Sequence, residues 1–388
     1  MNSCLQTPPP TRFINSWNET DPLRTLFIGN PSNSYGIPQE FPTRVRSYNT
    51  CINNNKIDEK QIQKAIKCID NLIDILKYDY SIQVIRPNTY DHSNSIKTPG
   101  WELTNTNENS CPRDTFSILG NTILEAPMSW RCRYFESQVY HNELLQLWRA
   151  DRNSRWIQPP KSAMTDNLYN LDYPIYNINN ERQHFANKYT YMLNNNVTTC
   201  EPVFDAADIL RCGKDLFVQN GFTTNKAGIE WIRREFGNQF RIHETLLENN
   251  TTPTHLDAEL TILRPGLMMT CPEKPIKDNL LRQIKNEEND WELFEAPYPV
   301  NHKMMDGCYS SKWLNMNVLS IDENTVIVEK NEQPLIDILE NTYGFQVIPV
   351  DFFDAYIFGG GFHCQTLDIY RDGTQKSYFP YFDRIYDK

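Results

Sequence analysis

A repeated pattern is what most constrains this chain. Four segments read as a strand, a tight turn and a second strand: FSILGNTILEAP (116–127), DILRCGKDLFVQ (208–219), LTILRPGLMMTC (260–271) and NVLSIDENTVIVEK (317–330). Apolar residues flank a short turn bearing Gly, Pro or Asn in each, which is the signature of a β-hairpin. After each hairpin comes a stretch with apolar residues three and four apart, as an amphipathic helix requires: HNELLQLWRA (141–150), KAGIEWIRREF (226–236), KDNLLRQIKN (277–286) and QPLIDILENTYG (333–344). A further strand-like run closes each unit, at 154–160, 239–246, 290–297 and 345–352. The unit is ββαβ.

A fifth copy opens the chain, with LRTLFIGNP (23–31), the long amphipathic stretch at 58–80 and SIQVIRP (81–87). It lacks one strand of its hairpin. CQTLDIYRDG (364–373) would supply that strand if the first and last modules meet. Five such modules around one axis make a five-bladed α/β propeller rather than a doubly wound sheet. No module can bury its apolar face alone, so residues 1–388 are expected to form a single domain. Residues 1–12, including the Pro-rich QTPPPTR (6–12), are expected to be a flexible lead segment, and the Asn-rich stretches at 46–55 and 88–96 to be exposed loops.

Composition narrows the function classes. No run approaches the roughly 18 apolar residues that a membrane span needs. The opening MNSCLQTPPPTRF lacks the charged start and apolar run of a secretory signal, so a cytoplasmic, reducing compartment is expected. The ten cysteines form no CxxC pair and no Cys/His cluster at zinc spacing, so a zinc site is not expected. A net charge of -11 works against binding the phosphates of nucleic acid.

In a ring of modules the strand ends converge, so polar residues far apart in sequence can meet there. GGGFHC (359–364) concentrates three glycines before Cys364, where a backbone without Cβ atoms permits close approach. Cys364 is either one more buried hydrophobe or a nucleophile open to substrate, and the glycines favour the second. In HLDAEL, His255 and Asp257 stand two residues apart and share a side of an extended strand. They form either a surface pair or a general acid–base with a cation-binding carboxylate. Asp205 and Asp208 precede the hairpin at 208, where they could serve as turn formers or orient His255; Asp114 stands in the same place before the hairpin at 116. Ser310 and Ser311 either form a turn or offer hydroxyls to a ligand carboxylate, with Lys274 as a charged partner. Several carboxylates beside a Cys/His pair imply a planar cationic substrate such as a guanidinium.

The ordered motifs CPRD, EAPMSWRCRYFE, FDAAD, GIEWIRREF, HLDAEL, SSKWLNMN and GGGFHC resemble the amidinotransferases, meaning arginine:glycine amidinotransferase and its relatives in guanidine-bearing antibiotic and toxin pathways. The similarity runs from NSWNETDPL (15–23) to the end of CQTLDIYRDG. It implies the five-bladed α/β propeller that this family shares with arginine deiminases. It implies Cys364 as nucleophile, His255 as acid and base, Asp205 as its orienter, and Asp114 and Asp257 as the grip on a donor guanidinium. Ser310 and Ser311 would sit near the donor's α-carboxylate. The implied reaction moves the amidino group of L-arginine through an amidino-cysteine to a primary amine and releases ornithine, in a ping-pong scheme without cofactor. Family members are commonly dimers, which makes a homodimer the expectation.

Two positions depart from the pattern of glycine-using members. Lys274, in CPEKP, stands where they often carry Arg, and Thr254 stands where vertebrate-like enzymes carry the bulkier Met. Inosamine-phosphate enzymes carry Thr there as well, so the resemblance implies a pocket able to take an amine larger than glycine. An arginine deiminase and a non-catalytic guanidine-binding protein are the competing readings.

Overall fold

The computed structural model describes residues 13–38, 57–170, 197–248, 254–300 and 311–387; QTPPPTR, the 46–55 stretch and Ser310 lie outside the described residues. In chain order the strands are β1 (Leu23–Ile28), β2 (Gln83–Ile85), β3 (Ile96–Lys97), β4 (Glu102–Leu103), β5 (Phe116–Leu119), β6 (Thr122–Glu125), β7 (Arg155–Ile157), β8 (Ile209–Cys212), β9 (Asp215–Gln219), β10 (Arg241–Thr245), β11 (Leu260–Arg264), β12 (Leu267–Thr270), β13 (Glu292–Glu295), β14 (Leu319–Ser320), β15 (Thr325–Glu329), β16 (Gln346–Val350) and β17 (Thr366–Arg371). They form five three-stranded sheets, with β3 and β4 pairing as a separate small hairpin. In four sheets the first strand of a module runs antiparallel to the second, and the second runs parallel to the third across a helix. The fifth sheet repeats that order with a strand from the far end of the chain. There β17 lies antiparallel to β1, Leu23 opposite Arg371 and Ile28 opposite Thr366, while β1 runs parallel to β2.

Strands β5, β8, β9, β12 and β15 are buried on both faces, which is why they read as nearly continuous apolar runs. Their period of two divides each strand between two separate cores. In β9, Leu216 and Val218 enter a cluster with Leu119 and Leu124 of the second module, whereas Phe217 enters a cluster with Leu260 and Met268 of the fourth. In β15, Val326 and Val328 pack with Leu267 and Met269, and Ile327 packs with Leu26 of the first module. Phe27, Leu367 and Ile369 meet Phe116, Ile118 and Ile123. Four of the five clusters therefore join two modules consecutive in chain order, and the fifth joins the last to the first.

Helices lie across these edges with their apolar stripes inward. Glu59–Asp74 buries Ile62, Ala65, Ile69 and Leu72. Lys226–Phe236 starts where the Asn225 side chain accepts a hydrogen bond from the Gly228 amide at 2.7 Å, a side-chain N-cap. Ser137–Ala150 begins four residues before the stretch expected at 141–150, because buried Tyr140 extends the stripe of Leu144 and Leu147 upstream. The short hairpin of β3 and β4 forms beside the Asn-rich stretch expected to be a loop. Near the C-terminus Pro380–Tyr386 adds a helix that weak periodicity concealed; it is fixed by Phe382 and by Phe379 stacking on Trp291 at 4.6 Å.

One recurrent detail positions the chemistry. Short helical turns stand ahead of β5, β8, β11 and β14, at Pro112–Thr115, Ala206–Asp208, Leu256–Ala258 and Leu314–Met316, and Phe353–Phe358 stands ahead of β17. Side chains tie them together. The Leu256 amide donates to Asp208 Oδ1 at 3.2 Å, and Asn317 Nδ2 donates to the Asp257 carbonyl at 3.1 Å.

Candidate active site

Those turns bring six of the expected residues to one pocket: Asp114, Thr254, His255, Asp257, Ser311 and Cys364 all line it. The glycines before Cys364 have distinct duties. Gly359 ends the helical turn at φ 87°, in the left-handed region that favours glycine. A β-carbon on Gly360 would run into the Cys364 side chain and crowd the Cys111 sulfur, so only glycine leaves room for the thiol. Asn317 then fixes the loop, its Oδ1 accepting from the amides of Gly361 at 3.1 Å and Cys364 at 2.9 Å.

His255 lies between two carboxylates. Its Nε2 is 3.1 Å from Asp205 Oδ2 and its Nδ1 is 3.4 Å from Asp114 Oδ1. Burial works against a charged ring, but Asp114, the hydrogen bond to Asp205 and the nearby Asp208 outweigh it and raise the His255 pKa to about 9. His255 is thus an imidazolium at neutral pH, with Asp205 fixing its plane. Asp205 is fixed in turn by the Ser129 amide, which donates to its Oδ1 at 3.1 Å.

The Cys364 thiol donates to Asp257 Oδ2 at 3.2 Å. Burial, then the charges of Asp257 and Asp114, push its pKa well above the ordinary thiol value. Asp257 responds differently. Burial alone would raise its pKa, but the hydrogen bond and charge of His363 hold it below the usual carboxylate range. Asp257 keeps one buried oxygen, Oδ1, without a hydrogen-bond partner, and Asp114 Oδ1 makes no hydrogen bond beyond its ion pair with His255. In such a site an unsatisfied carboxylate oxygen is costly unless a donor arrives.

Lys274 stands behind the pocket wall. Its Nζ donates to Thr254 Oγ1 at 2.5 Å and to Glu259 Oε1 at 2.9 Å, so it braces Thr254, which does line the pocket. Ser311 accepts from the Trp313 amide at 3.0 Å. Asp208 serves structure, its carboxylate receiving the hydroxyls of Thr223 and Thr224 as well as the Leu256 amide.

Sequence reasoning missed Arg133. It lines the pocket, donates to Asp114 Oδ2 at 2.6 Å, and grips Glu136 with Nε and Nη2 at 2.6 and 2.7 Å. The alternating charges of WRCRYFE were the available signal. Beneath the site lies a buried ion network that also escaped notice. In it Arg211 spans Glu19 and Asp368, Arg371 donates to Asp368 at 2.8 Å, and Arg113 pairs with Asp368.

With this geometry in hand, the comparisons with known proteins are decisive. No family model matches the chain. It is 35% identical over 387 residues to the mitochondrial glycine amidinotransferase of Danio rerio, covering 96% of this chain and 87% of that one. It is 31% identical over 380 residues to the L-arginine:L-lysine amidinotransferase of Pseudomonas savastanoi pv. phaseolicola, covering 96% and 99%. The chain belongs to the amidinotransferase family. Among solved structures it superposes on SxtG, an amidinotransferase from Microseira wollei in the saxitoxin biosynthetic pathway, with a TM-score of 0.80 and 32% identity over 94% of this amidinotransferase chain and 99% of SxtG. Among the described residues, no helix of this family member is long and apolar enough to cross a membrane.

Proposed function

We propose that this amidinotransferase takes the amidino group of L-arginine onto Cys364 and delivers it to a primary amine, on a single five-bladed α/β propeller. The cyclic order of the five apolar cores supports the propeller. One observation carries the chemistry: Asp114 and Asp257 both line the pocket of Cys364 and His255, and each keeps a buried oxygen that accepts no hydrogen bond. A guanidinium is planar, cationic and rich in donors, and it fits two such acceptors.

The reaction follows from the electrostatics. A donor guanidinium between the two carboxylates neutralises the very charges that hold the Cys364 proton, so donor binding itself favours the thiolate, with the thiol proton leaving to solvent. The thiolate attacks the guanidinium carbon, and Asp114 and Asp257 stabilise the charge as the carbon becomes tetrahedral. His255, already protonated, gives its proton to the departing amine, and ornithine leaves. The amidino group stays on sulfur. An acceptor amine then gives a proton to His255, attacks the same carbon and expels the thiolate, completing a ping-pong cycle.

Thr254, with Lys274 braced behind it, forms the acceptor side of the pocket and leaves room for amines larger than glycine. All seven described free cysteines are thiols, which suits the reducing, cytoplasmic setting proposed for the enzyme. The test is incubation with L-arginine and a panel of primary amines including glycine and L-lysine, with products read by mass spectrometry. Ornithine formed in step with one guanidinylated amine is the expected outcome; citrulline formed without any amine would overturn transfer in favour of hydrolysis.

A further inference from the structure

His363 is the residue of GGGFHC that the reaction above does not use. It is buried, 8% exposed, between two carboxylates from distant parts of the chain. Its Nδ1 lies 2.8 Å from Asp257 Oδ2, and its Nε2 lies 3.1 Å from Glu19 Oε2. An ionised carboxylate can only accept, so a histidine contacting one through each ring nitrogen must donate from both. That histidine is an imidazolium.

The rest of the surroundings agree. Glu19 cannot be the proton's owner, because Arg211 donates to it through its amide at 3.1 Å, Nε at 2.9 Å and Nη2 at 2.5 Å. Arg113 faces His363 from the turn at Pro112–Thr115 and donates to its backbone carbonyl at 3.3 Å. Burial and the Arg113 charge oppose a proton on the ring, and the hydrogen bonds to Asp257 and Glu19 outweigh both, placing its pKa above the ordinary histidine value. Asp368 and Arg211 complete the charged shell around Glu19.

We infer that His363 is a fixed imidazolium that positions Asp257, holding Oδ2 toward the Cys364 sulfur so that Oδ1 remains for the donor guanidinium, and that anchors this carboxylate to the ion network beneath the site. The inference rests on the arginine-donor reading above. Without the imidazolium, Asp257 could rotate, and a buried carboxylate would stand beside the nucleophile with only the charge of His255, which makes no hydrogen bond to it, to offset it. The link also gives the buried network a catalytic consequence, since Glu19 and Asp257 are the two ends of one bridge.

Two substitutions separate positioning from bulk. Asn places its amide nitrogen near the site of Nδ1 and so keeps the bond to Asp257, whereas Gln reaches toward the site of Nε2 and keeps only the bond to Glu19. Donor kinetics are read as ornithine release from L-arginine. His363→Gln is expected to raise the donor KM and lower the rate of Cys364 amidination, together costing about ten- to hundredfold in kcat/KM, the size of a lost charge-assisted hydrogen bond. His363→Asn is expected to recover most of that loss. Equal donor kinetics in the two variants, alongside equal losses of stability, would overturn the inference and leave His363 a structural residue. Nitrogen NMR of the labelled wild-type imidazole is the second measurement: both nitrogens protonated from pH 6 to 8 is expected, and a neutral tautomer would refute the fixed imidazolium whether or not the variants fold. If the wild-type enzyme releases no ornithine, the donor reading fails while the NMR result still decides the charge of His363.

Discussion

Two groups of buried carboxylates, joined through His363, behave oppositely. In the network beneath the site, Glu19 and Asp368 are surrounded by Arg113, Arg211 and Arg371, with the Arg371 guanidinium finishing on the carbonyls of Asp21 and Ser320 at 2.7 and 2.9 Å. In the pocket, Asp114 and Asp257 are equally buried, yet Asp114 meets a single arginine, Arg133, beside His255, and Asp257 is paired with His363 and with no arginine among the described residues. The first group spends its charge on holding modules together, because its partners come from residues as far apart as Glu19 and Arg211. The second group holds charge in reserve for a cation that comes and goes. Burial and residue type do not distinguish structure from function here; the number of resident guanidinium partners does.

Substitutions can break this contrast from either side. The largest effect is expected from Cys364→Ala, which removes the group both carboxylates serve. Turnover should fall on the order of 10^4-fold or more, while the denaturant midpoint moves little, as read by ornithine release and urea unfolding. Glu19→Ala should show the reverse emphasis. It leaves Arg211 and His363 buried without their partner and is expected to cost about 3–5 kcal/mol of stability in urea unfolding. Asp257→Asn should reduce donor kcat/KM by roughly 10²–10³-fold, in the range of a lost transition-state contact, with a much smaller stability change than Glu19→Ala.

The smallest effect is a pH dependence. The folded-state pKa of His255, about 9, lies above its ordinary 6.5, so the folded protein holds this proton more tightly than the unfolded chain. Its contribution is fully present below about pH 6.5 and is lost as pH rises through about 9, by at most a few kcal/mol. Unfolding free energy measured across that window should decline, and the decline should flatten in His255→Gln. Loss of the donor half-reaction should follow the same rise, because neutral His255 has no proton for the departing amine.

The fold was legible where chemistry is local. Alternating apolar residues and hairpin turns marked four modules, and the missing strand of the fifth pointed to 364–373, where β17 lies. Cys364, His255, Asp205, Asp114 and Asp257 were legible because they share one place, the turn before a strand. What escaped were pairings that leave no local trace. His363 meets Glu19 across 344 positions, and Arg211 meets Asp368 across 157. Nothing in either neighbourhood announces the partner. Lys274 shows another pairing of this kind: its sequence position suggested a hold on a substrate carboxylate, and two of its three donors go to Glu259, fifteen residues away, and to Thr254. The short helix at Pro380–Tyr386 was hidden because its stability comes from Trp291 and Phe379 rather than from periodicity.

The most direct test of transfer through Cys364 is an acid quench of the protein seconds after mixing with L-arginine and no acceptor, followed by intact and peptide mass measurement. The expected result is one amidino group on the peptide containing Cys364, with one ornithine released per chain and turnover resuming only on addition of an amine. An unmodified Cys364 in a protein that nonetheless guanidinylates an amine would contradict a covalent route.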